Sequence, residues 1–592
     1  MKNYFKQKAV IVVLFIAALL IVSCNPTDDT SPPSQNPTPG SFSENFGASA
    51  TRDFIGRVVD VSNNPIAGVD IKIGSTTVQT DVNGVFVVNG ASVFEKFAYI
   101  TAKKAGYFDG SRTMVPSTGK NNVKITMISN AVTATVASGT TSQVTLPNGT
   151  KVSFDGFFKD AAGNAYSGNV QVSMYHLAAS NSNISSIMPG SLLAQATDGS
   201  AKVLETFGML NVELKGSAGQ KLNIGTGHLA EVSMLIDPAQ VASSPASIPL
   251  WHFDEVNGFW KQEGSATKVG NKYVGNVSHF SWWNCDYPSQ WATLIVNVVN
   301  AANSPLANVR VDVLPSGYTY APQGYTNAGG LVTGPVPANL ALSIKIYDAC
   351  NNVLLTIPCP AIALGATYTL PTVVINNSTT NISTIQGNLT KCNGSNVTNG
   401  YVLLTTSGIT QAAAITNGSF SFNTLYCGAT TANYTLVGYD YDNLQTTGTL
   451  TGILSPTNTI VGNIQACTAV TQYITYQIDG GAVQNIIANI TANSGTTNSN
   501  FLIKGGISAA GSSVFNLFGG TTTLGIYTTA NGFSMEGTAL NGFISAQSTN
   551  TVQFNLSNFG AVGQYIDVSF NGTYVNQTGT HTITGSAHVI RL

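Results

Sequence analysis

The chain has 592 residues, of which only 9% are charged, and a formal net charge of -2. So sparse and balanced a charge leaves no basic footprint for nucleic acid. The length also exceeds what one hydrophobic core serves, so several domains of about 100–150 residues are expected. Polar surface falls to Thr, Asn, Ser and Gly, a usage typical of extracellular β-rich proteins. At the N-terminus, Lys2, Lys6 and Lys8 precede an uninterrupted apolar run over residues 9–22. Crossing about 30 Å of hydrocarbon takes about 20 helical residues, so this run reads as the core of an export signal.

The run ends in Ile21-Val22-Ser23-Cys24, which resembles the lipobox of bacterial lipoproteins. The resemblance implies removal of residues 1–23 and acylation of Cys24, with two or more chains giving a stable membrane anchor. Residues 24–50 are rich in Pro, Ser, Thr, Asn and Asp and read as a flexible tether, since they bury too little surface to offset ordering entropy. Asp28 and Asp29 resemble the acidic export signal of Bacteroidetes surface lipoproteins. The expected location is therefore the outer membrane, lipid-anchored and exposed at the cell surface.

Residues 51–130 begin a pattern that returns. Val58-Val59 leads through Asn63-Asn64-Pro65-Ile66-Ala67-Gly68 into the alternating run Val69-Asp70-Ile71-Lys72-Ile73, and Thr80-Asp81-Val82-Asn83-Gly84 turns into Val85-Phe86. Alternation is the period of a half-buried strand, and Pro and Gly punctuate it. Gly56-Arg57-Val58, Pro65 to Val69, Thr80 to Phe86 and Lys104-Ala105-Gly106-Tyr107-Phe108 together resemble the carboxypeptidase regulatory-like domain. That resemblance implies a transthyretin-like, seven-stranded β-sandwich without catalysis of its own.

Residues 131–290 follow a different plan. Thr145-Leu146-Pro147-Asn148-Gly149-Thr150 reads as a hairpin turn, and Ile248-Pro249-Leu250-Trp251-His252-Phe253 with Gly258-Phe259-Trp260 reads as a closing strand pair. This stretch is similar to the extracellular region of cartilage intermediate layer proteins, which implies an extracellular β-sandwich and no enzyme activity. All five tryptophans lie between Trp251 and Trp291. A core role is the expectation for most of them. Trp282 and Trp283 are adjacent, however, and neighbours on a strand face opposite ways. One of the two is expected under the next module or exposed as a platform for a glycan.

His279-Phe280-Ser281 resembles the cleavage site of self-processing domains in innate immune proteins, where the serine attacks the preceding carbonyl and histidine assists. The resemblance implies a cut at Phe280–Ser281, whereas a plain strand over 277–282 is the competing expectation. Asp254 and Glu255 are consecutive and so face apart, a poor acid–base couple. Asp440 and Asp442 read as a solvated turn rather than a calcium cage. The six histidines, His176, His228, His252, His279, His581 and His588, are scattered along the chain, and neither metal nor cofactor is expected.

The repeat pattern returns over 291–376, with Val298, Asn303-Ser304-Pro305-Leu306 and Thr326-Asn327-Ala328-Gly329-Gly330, and more loosely over 377–467, with Leu389, Cys392-Asn393-Gly394 and Thr416-Asn417-Gly418. With Cys24 assigned to lipid, Cys285, Cys350, Cys359, Cys392, Cys427 and Cys467 remain, an even number in an exported chain. Up to three disulfides follow, with Cys350–Cys359 and Cys392–Cys427 as plausible pairs. Residues 468–592 contain strand candidates about 10 residues apart and read as a further sandwich or partly closed barrel.

The fold expected is all-β: tandem antiparallel β-sandwich modules after a signal peptide and tether. The function expected is a non-enzymatic surface scaffold for adhesion or ligand binding, partnered by the membrane and by a glycan or another surface protein. A glycan-binding accessory protein and a self-cleaving protein are the alternatives.

Overall fold

A computed structural model describes residues 42–376, 382–427, 432–470, 472–481, 483–487, 489–494, 499–507 and 513–592. Cys24, the export signal and most of the tether lie outside the described residues. Strands dominate throughout, and the sheets are antiparallel except for a few pairs.

The first repeat packs a three-stranded sheet against a four-stranded one, seven strands in all. Ser49–Val59 sits between Val85–Phe94, which is antiparallel to it, and Lys120–Thr126, which is parallel. The same parallel partner recurs beside Trp291–Asn300 and beside Ile382–Lys391. The repeat is exact in its hydrogen bonds. Val58 N–H donates to Gly84 O (2.8 Å), Val298 to Gly330 (2.8 Å) and Leu389 to Gly418 (2.7 Å). Eight residues after each of those donors, Ile66, Leu306 and Val397 donate back to its carbonyl. Thr80 and Thr326 make matching bonds as well: each hydroxyl donates to a carbonyl (Ile66 or Leu306) and accepts a backbone N–H (Val69 or Val309). Gly84 and Gly330 lie at φ +70° and +74°, and a Cβ there would meet the carbonyl oxygen of Val58 or Val298 within 2.5 Å. Only glycine closes this turn against the strand.

The middle region forms one highly bent 14-stranded sheet around a core that includes Val152, Leu210, Leu250, Tyr273 and Trp283. The C-terminal region is a sandwich of a six-stranded and a five-stranded sheet, with Phe501, Phe515, Phe554 and Phe570 between them.

Two expectations need correction here. The tether ends earlier than residue 50: Phe42–Phe46 is a 3-10 turn whose two phenylalanines are buried. Phe46 stacks on Phe97 at 3.8 Å and Phe42 lies 4.3 Å from Phe259, so burial worth about 2 kcal/mol per ring offsets the ordering of this segment. The disulfides are Cys350–Cys427 and Cys392–Cys467, with Cα separations of 5.1 and 4.9 Å. Cys285 and Cys359 are buried free thiols. Cys350 lies in a hairpin turn, and the strand Val353–Cys359 carries its expected partner roughly 20 Å away into the core. Cys427, on the neighbouring repeat, comes within reach instead.

The modules also interlock rather than follow one another as beads. The first repeat touches every other module. Tyr99 donates to Glu255 O of the middle region (2.8 Å), and its Ser117 accepts from Asn327 of the second repeat (2.8 Å). Its Asp81 accepts from Tyr401 and Tyr441 of the third, and its Lys104 reaches Asn489 of the C-terminal sandwich (3.3 Å).

Candidate functional site

The strongest concentration of chemistry lies at one edge of the middle region. His252 is on Ser247–Asp254, Glu263 on the neighbouring strand Phe259–Val269, and His279 in the bend that precedes Trp282–Ser289. His252 pairs with Lys261, and Glu263, two residues further along, shares that face and lies diagonally across from His252. A β-bulge follows directly: Pro249 pairs Ser265 and Trp251 pairs Gln262, so Glu263 and Gly264 together oppose Leu250. Gly264 takes φ +77°, a conformation that costs glycine little.

The outcome is compact. Glu263 Oε2 lies 3.3 Å from His279 Nε2 and 3.6 Å from His252 Nε2. One donor atom from each residue lies within 4.8 Å of the other two. Ser278 Oγ donates to the other carboxylate oxygen at 2.7 Å, and Trp283 Nε1 donates to the His279 carbonyl at 2.9 Å. The Trp283 ring forms the floor, 5.7 and 5.1 Å from the two imidazole centroids. Burial and the adjacent His279 push His252 below the ordinary histidine range. Burial pushes Glu263 up, but the Ser278 hydroxyl and the two imidazoles outweigh it, and its carboxyl stays below the usual range. Lys261, across from His252, is paired with Asp254 at 2.6 Å. The three residues come from three separate segments, so no regular spacing along one strand reveals them.

The other candidate residues fall as follows. Trp282 and Trp283 do face opposite ways, into two different cores. Trp283 enters the middle core, while Trp282 joins Phe108 and Ile128 of the first repeat under the module boundary. They are 3% and 0% exposed. A stacking platform needs an open ring face, so neither serves as one. His279 and Ser281 lie in a bend over 278–281, not in a strand. Their side chains are engaged elsewhere, His279 with Glu263 and the Ser281 hydroxyl with the Trp282 carbonyl (3.1 Å). Asp254 caps its own turn by accepting from Val256 and Asn257, and Asp440 does likewise with Asp442 and Asn443.

A second feature is a cleft of about 700 Å³ where the three repeats meet. Lys120 and Asn122 of the first, Asn308 of the second, and Gln411 and Phe420 of the third line it. Its size falls within the range of ligand pockets.

No family model matches the chain, and no curated protein does. Among solved structures it is similar to a streptococcal ancillary pilin at 11% identity, over 40% of this chain and 98% of that one, with a TM-score of 0.14. It is also similar to the shaft pilin SpaA of Lactobacillus rhamnosus GG (11%; 31% and 98%; 0.16) and to the major pilin subunit BcpA of Bacillus cereus (10%; 71% and 100%; 0.12). Scores this low carry no argument about function. What the fold itself defines is a multi-module β-sandwich protein. Among the described residues no helix is long and apolar enough to cross a membrane.

Proposed function

We propose that this is a non-enzymatic surface lipoprotein, held to the outer membrane through acylated Cys24, whose modules form a rigid scaffold for adhesion or ligand capture. The observation that carries the reading is the interlocking of the repeats. Asp81, 1% exposed, is bound by two tyrosines of another module, and a disulfide joins the second repeat to the third. A scaffold gains from such fixed relative positions, since a preformed surface loses less freedom on binding. The test is fractionation with external proteolysis of whole cells. Wild-type chain should sediment with membranes and be cleaved from outside, and Cys24→Ala should be released. Equal membrane retention of Cys24→Ala overturns the anchor.

Glycan capture is the second reading, now placed at the cleft between the repeats rather than at the tryptophans. The half-buried Asn122 amide beside an apolar floor favours it, because an amide donates to and accepts from sugar hydroxyls. Retention on immobilised polysaccharide that survives Asn122→Ala would sink it.

A further inference from the structure

We propose that His252, Glu263 and His279 form a binding site for a divalent transition-metal cation of the zinc type, with three protein ligands and a fourth position open to water or to a partner's donor group. Zinc bound at about 2.0–2.1 Å to tetrahedral ligands sets those ligands about 3.3 Å apart. The two distances to Glu263 Oε2, 3.3 and 3.6 Å, already have that size, and all three donors lie within 4.8 Å. Small side-chain rotations complete the set. Two imidazoles and one carboxylate are a donor set suited to Zn²⁺ and its neighbours rather than to Ca²⁺ or Mg²⁺, which take oxygen ligands.

The surroundings fit a held site rather than a chance meeting. Ser278 fixes the carboxylate oxygen that the histidines leave, and Trp283 fixes the backbone that carries His279. Partners of this kind orient metal ligands and are part of their affinity. Glu263 shares a strand face with Lys261, the partner of His252, which brings its carboxylate to the histidines. The ligand side chains are 19–41% exposed, so an ion reaches them from solvent. The nearest cation, Lys261, is neutralised by Asp254. Among the described residues, the other histidine–carboxylate contacts are simple pairs: His228 with Asp155, His581 with Asp479 and His588 with Asp567.

The experiment titrates the full chain, stripped with a chelator, with Zn²⁺ by calorimetry, and with Co²⁺ by visible absorption to read the coordination geometry. One equivalent should bind. His252→Ala and the isosteric Glu263→Gln should each weaken binding at least about tenfold, a loss that even an outer partner's removal produces. Asp479→Asn should leave it unchanged. Melting curves of the variants check folding, and should His252→Ala fail to fold, Glu263→Gln alone decides. Absence of stoichiometric binding, or affinity retained in Glu263→Gln, overturns the proposal.

Discussion

The Tyr401 hydroxyl donates to the carboxylate of Asp81, across 320 positions of sequence and from one module into another. The same carboxylate accepts from Asn83 and Val85 N–H (both 2.9 Å) and from Tyr441 (3.1 Å). A residue that shapes a local turn thereby becomes the centre of a junction. Burial pushes its carboxyl up, and the tyrosine and backbone donors pull it back. Tyr401→Phe should destabilise the chain by about 1–3 kcal/mol, the cost of a lost donor at a buried acceptor. Urea unfolding measures the loss, and hydrogen exchange should locate it at residues 81–88 and along the strand Gly400–Thr406.

The crosslinks give a second test. A peptide map without reduction should show Cys350 joined to Cys427 and Cys392 to Cys467. The unfolded, unreduced chain should expose the thiols of Cys285 and Cys359 to alkylation. Removing the first crosslink as Cys350→Ser with Cys427→Ser should cost about 4.5 kcal/mol for a loop of 77 residues in the chain-entropy account.

At the boundary with the first repeat, Trp282→Ala should cost about 3–5 kcal/mol, because it empties a fully enclosed position between Phe108 and Trp251. Trp282→Phe should cost less, since the indole N–H it gives up has no acceptor. Melting temperatures of the two variants separate packing from any loss of ligand binding.

Burial lifts the Glu205 carboxyl from 4.5 to about 7, and it lifts Asp286 well above the carboxylate range. The folded chain then holds protons that the unfolded chain releases, so this contribution falls as pH rises from about 4.5 to about 7 for Glu205. Burial acts the opposite way on His176 and His252, so the comparison is made against a variant. Glu205→Gln should be the more stable chain at pH 8 by about 1 kcal/mol, allowing for partial exposure, with the gap closing at pH 5. Denaturation midpoints across that range measure it.

Self-processing is checked on a denaturing gel. With His279 turned to Glu263 and Ser281 bonded forward to Trp282, a single uncut band is the expected result. Two fragments meeting at Phe280–Ser281 would restore that reading.

The three repeats are legible because their signals are local: a Pro or Gly turn and an Asn-Gly or Gly-Gly turn each dictate backbone within five residues. The opposed tryptophans are legible for the same reason, since alternation decides direction. Disulfide pairing and the His252–Glu263–His279 group are not, because each depends on which separate segments become neighbours. The docking of modules is written in ordinary turn residues. Asp81 and Asn327 look identical in role until their second oxygen or nitrogen finds Tyr401 or Ser117.

The Cys350–Cys427 crosslink also decides what a cut in the backbone would do. The path leaves the first repeat, runs through the middle region and second repeat, and returns in the third to Asp81. Its closing stretch is bolted by sulfur. A single nick in the backbone between those two cysteines would therefore leave both pieces attached, and shedding the distal sandwich there would require reductant as well as an enzyme.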